Sequence, residues 1–140
     1  MKKLLMVIAV LVGSLTWSPP CFALMRIVNV SREQAKELGM EIRSKLAGPD
    51  AVWVELEFKT DGKFKDFSHV SLEIGEGDKL LVGYAPLREK RSSSGSVVVS
   101  FMANGAYLDK ITLRVVAGVL RNMVGYDIRV KEYVDLEKVH

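Results

Sequence analysis

In Val52-Trp53-Val54-Glu55-Leu56-Glu57-Phe58-Lys59 the even positions are apolar and the odd ones, Trp53 aside, are charged. A period of two is that of a β-strand, whose side chains point to opposite faces in turn, and it does not fit a helix. The pattern recurs along the chain. Val70, Leu72 and Ile74 alternate with His69, Ser71 and Glu73; Ile111, Leu113 and Val115 with Thr112 and Arg114; Tyr126, Ile128 and Val130 with Asp127, Arg129 and Lys131. Strands with one apolar and one polar face suit antiparallel sheets covered on one side.

Turn-forming residues separate the runs. Asp61-Gly62 precedes the strand expected over Phe67 to Ile74, Gly75-Glu76-Gly77-Asp78 precedes one over Lys79 to Leu87, and Asn104-Gly105 follows one over Ser96 to Met102. Arg88 to Gly95 is the longest polar segment and reads as a mobile connection, open to proteolysis, where the chain passes between sheets. One helix is expected: Ser31 and Gln34 match a capping box, Arg32 to Leu38 are mostly good helix formers, and Gly39 stands where a left-handed C-terminal cap belongs. That helix of about two turns connects strands over Arg26 to Val30 and Met40 to Leu46.

The expected fold class is therefore all-β: a two-sheet antiparallel sandwich of about eight strands with one short connecting helix. The layout resembles immunoglobulin-like and fibronectin type III-like sandwiches in architecture, without the cysteine pair of antibody domains. Such a resemblance implies no particular activity, because sandwiches host adhesion, chaperone, inhibitor and accessory roles alike.

Residues 1–23 read as a cleavable export signal, with Lys2 and Lys3 before an apolar run from Leu4 to Trp17 and small residues Cys21 and Ala23 at the inspected positions. Cleavage after Ala23 is expected, leaving one domain over 24–140. The alternatives are weaker: Ser14, Thr16, Ser18 and Pro19-Pro20 interrupt the run that a membrane anchor needs, and Trp17 to Pro20 is a poor lead-in to lipid attachment at Cys21. Removing the signal takes two lysines and no acid from 20 basic and 17 acidic residues, so the remaining net charge is +1. A chain so balanced offers no basic footprint for nucleic acid. The only cysteine leaves with the signal, so the domain is expected to rely on packing rather than disulfides, as in a secreted or periplasmic bacterial protein.

Catalytic and cofactor motifs are missing. There is no GxSxG elbow, no GxGxxG or Walker-type loop, and no HExxH, so neither nucleotide nor cofactor is implied and no enzyme is expected. The alternatives are a small metal-dependent hydrolase built on His69 with nearby carboxylates such as Glu73, and a protease inhibitor acting through the 88–95 segment.

Two features suit binding of an envelope protein or polymer. Gly118 to Gly125 reads as a glycine-bounded loop carrying Val119, Leu120, Met123 and Val124, either as a contact surface or folded back as a plug over the core. Trp53 stands on an otherwise charged strand face beside Glu55 and Glu57, as a contact residue or covered by a neighbour. The leading expectation is an exported, non-catalytic binding or structural module, with edge-strand addition as a further mode of contact.

Overall fold

In the computed structural model, which describes residues 25–76, 79–82 and 87–134, the alternating runs are strands. The elements are β1 (Arg26–Asn29), α1 (Arg32–Glu37), β2 (Glu41–Leu46), β3 (Ala51–Lys59), β4 (Phe67–Glu76), β5 (Lys79–Val82), β6 (Arg88–Arg91), β7 (Ser96–Asn104), β8 (Ile111–Ala117) and β9 (Val124–Arg129). Five strands pair in the order β1-β9-β8-β4-β5 and four in the order β2-β3-β7-β6. The chain is a two-sheet β-sandwich.

The alternation decides which face is inside. Val52, Val54, Leu56 and Phe58 of β3 are buried and pack in one core with Val97, Val99 and Phe101 of β7, Leu72 of β4, and Ile111, Leu113 and Val115 of β8. Tyr126 and Ile128 of β9 join them, and the rings of Phe64 and Phe67 each lie 5.1 Å from that of Phe58. Burying a side chain of this size contributes about 1.5 to 3 kcal/mol, so this face dominates stability.

The helix forms where its caps stand. The Ser31 side chain accepts from the Gln34 amide and the Gln34 side chain accepts from the Ser31 amide. At the other end Gly39, at φ +71°, donates to Lys36 O and Met40 donates to Ala35 O, the paired bonds of a Schellman stop. Strand directions explain why a helix is needed. β2 is antiparallel to β3, and β1 is parallel to β9, so following the pairings through the β3–β4 corner makes β1 and β2 run the same way in opposite sheets. The chain must travel the length of the sandwich between them, and α1 makes that crossing.

Two expectations change. The nine strands among the described residues agree with the expected number of about eight, but the β1–β9 pair is parallel, so the sandwich is not wholly antiparallel. The segment 88–95 is not a mobile connection: Arg88–Arg91 pairs with Val97 to Ser100 as β6, and a tight turn closed by Ser92 and Gly95 follows. Its charges mislead because β6 is an edge strand. Glu89 and Arg91 share register with the inward residues Val99 and Val97, pair with each other at 2.6 Å, and set the Arg91 guanidinium 4.8 Å from the Phe67 ring centroid. Inward-pointing charge of this kind discourages further strand pairing.

The outer face of the five-stranded sheet carries a charge network. Arg114 donates from Nε and Nη2 to both carboxylate oxygens of Asp127, at 2.6 and 2.8 Å, and from Nη1 to Glu73 at 2.6 Å. Those bonds raise the guanidinium pKa despite partial burial. The Arg114 stem lies across Gly125, where a Cβ would come within 2.9 Å of Ile27 Cδ1 and 3.1 Å of Arg114 Cδ.

Candidate functional site

The β8–β9 connection is held at its base and apolar at its crest. Gly118 has φ +108°, and a Cβ there would fall 2.3 Å from Asn122 O, so only glycine lets the chain fold back at this point. The Gly118 amide donates to Asp66 O and the Asn122 amide to Val119 O, each at 2.8 Å, while the Arg26 amide donates to Met123 O at 3.2 Å. Leu120 takes φ +24°, the only positive value among the described non-glycine residues. A left-handed conformation costs an L-residue roughly 1 to 2 kcal/mol.

At the crest Val119 is 64% exposed and Leu120 85% exposed, while Met123 is half-buried. The plug alternative is therefore wrong for Val119 and Leu120: burying them would have compensated for the backbone conformation, yet they stand in solvent. The connection is also shorter than the 118–125 loop expected, because Val124 and Gly125 belong to β9. Beside it lies Ile27 of β1, 41% exposed and paired with Gly125, which sequence reading missed because the four residues of β1 show no alternation. In a parallel pair alternate residues bond one neighbour. Arg26 and Val30 donate to β9, so the amides of Ile27 and Asn29 face away from the sheet. Exposed Arg26 and Arg121 flank the patch.

Trp53 is not part of this surface. It is half-buried on the outer face of the four-stranded sheet, in register with Lys45 on one side and Met102, 60% exposed, on the other. Its place near the start of β3, beside the β7–β8 connection, puts it at the end of the sandwich opposite Val119 and Leu120. The binding residues picked from sequence thus form two separate patches.

His69 is exposed, with Nδ1 3.0 Å from the Ser68 hydroxyl, and Glu73 bonds Arg114 instead. No group of three or more His, Cys, Asp or Glu side chains placed to hold a metal ion occurs among the described residues. Cys21 and the expected cleavage site at Ala23 lie outside the described residues, and no helix among those described is long and apolar enough to cross a membrane.

Compared with known protein families, curated proteins and solved structures, the chain matches none.

Proposed function

We propose that the chain is an exported, non-catalytic binding module of the immunoglobulin-like or fibronectin type III-like kind, which docks another protein of a bacterial envelope through its β8–β9 tip. The exposure of Leu120 on a loop whose base is fixed by hydrogen bonds carries this reading. An apolar crest on an anchored loop loses little conformational entropy when a partner covers it, and it removes two large side chains from water. Ile27 and the outward amides of β1 extend the surface, so the partner meets an apolar tip and a short sheet edge that is unpaired among the described residues. Export rests on residues 1–23, whose charged start, apolar run and small residues fit a signal.

Affinity capture from an envelope extract tests the proposal, with the wild-type protein and the Val119→Ser/Leu120→Ser variant as parallel baits. The wild type is expected to retain a discrete partner that the variant loses. Equal retention by both baits, with both folded, refutes the tip as the contact site.

A further inference from the structure

Between α1 and the turn at 61–63 lies a cleft of about 490 Å³, a volume within the usual range for small-molecule sites. It lies beside the crossing helix, whose six residues at about 1.5 Å each cover only roughly 9 Å. Val28, Val30, Leu38 and Tyr126 make its apolar wall, and Glu37, Asp61 and Lys63 stand at its rim.

Two independent observations mark this cleft as more than a packing gap. The first is Tyr126, only 9% exposed, whose hydroxyl bonds no described residue. Among the described residues no buried side-chain polar atom is left without a partner, so this hydroxyl keeps access to solvent, and Tyr126 lines the cleft. The second is the state of the rim. Two charge clusters on the outer sheet faces are engaged, Arg43 by Glu41, Glu55 and Glu57, and Arg114 by Asp127 and Glu73. Glu37, Asp61 and Lys63 make no side-chain hydrogen bond or ion pair among the described residues.

We propose that the cleft binds a small organic cation, an ammonium group on an apolar body. Two carboxylates against one ammonium give the rim a net charge of −1, which selects a cation, and Lys63 repels it from one side and so sets its orientation. The apolar body rests on Val30, Leu38 and Tyr126, whose hydroxyl accepts a hydrogen bond from the incoming N–H. This site does not depend on the β8–β9 tip.

Phenethylamine is the probe and phenylacetate, similar in size with the opposite charge, is the control, each titrated into the purified protein and followed by NMR. Phenethylamine is expected to shift the Leu38, Val30 and Tyr126 resonances saturably. Its affinity is expected to fall about two- to five-fold in Glu37→Gln and in Asp61→Asn, as loss of one exposed ion pair implies. Both substitutions are at exposed positions and leave the fold intact, which the unperturbed remainder of each spectrum verifies. Phenylacetate binding as tightly as phenethylamine, no saturable shift at these residues, or unchanged affinity in both variants overturns the proposal.

Discussion

Replacing Val119 and Leu120 together by serine separates an exposed crest from a buried plug. Full burial of such a side chain is worth about 1.5 to 3 kcal/mol. With Val119 64% and Leu120 85% exposed, the two together retain only about half of one buried side chain. The double substitution then costs no more than roughly 0.7 to 1.5 kcal/mol, an upper estimate because unfolded chains already bury some apolar surface. At about 4 °C per kcal/mol for a domain of this size, the melting temperature falls by no more than about 6 °C. Leu113→Ala is the internal standard: the side chain is 0% exposed at the centre of β8, and its truncation costs about 2 to 5 kcal/mol, or roughly 8 to 20 °C. Thermal melts followed by circular dichroism read both. A double variant that melts as low as Leu113→Ala means that the loop is folded into the core, and the exposed contact surface fails with it.

Three further outcomes follow from particular residues. Ser31→Ala removes the cap at the start of α1 and is expected to lower stability by about 1 kcal/mol in urea denaturation, with Gly39 still stopping the helix. Gly118→Ala places a Cβ against Asn122 O, so a loss well above 1 kcal/mol is expected, with the largest chemical-shift changes confined to 66 and 118–123. The Arg43 guanidinium, bonded to Glu41, holds that carboxyl below its ordinary value, so an NMR titration should place its midpoint below that of a free glutamate, and Arg43→Gln should return it there. Because the folded value is the lower one, the stability from this pair is present above the unfolded value and disappears as the pH falls through the folded one.

The parts of the fold legible in the sequence are those set by local chemistry. β3 announces its buried face residue by residue, and Ser31, Gln34 and Gly39 bracket α1 by side-chain and backbone bonds that span three to five residues. β6 escaped because an edge strand closed by Glu89 and Arg91 has the composition of a loop; only its register with Val97 and Val99 makes it a strand. The parallel placement of β1 depends on β9, about a hundred residues away, and leaves no local mark. The tip was half legible. Its apolar residues stood out, but whether they turned inward depended on the hydrogen bonds that tie Gly118 to Asp66 and Met123 to Arg26. The cleft was not legible at all, since Leu38, Lys63 and Tyr126 meet only through the crossing of α1.

Site-specific photo-crosslinking in cells tests the tip as a contact site most directly. A photoreactive residue replaces Leu120 in one protein and Asp109, exposed in the 105–110 turn at the opposite end, in another. A discrete adduct of one partner protein is expected from position 120 and not from position 109. No adduct at 120, or the same adducts from both positions, contradicts the account.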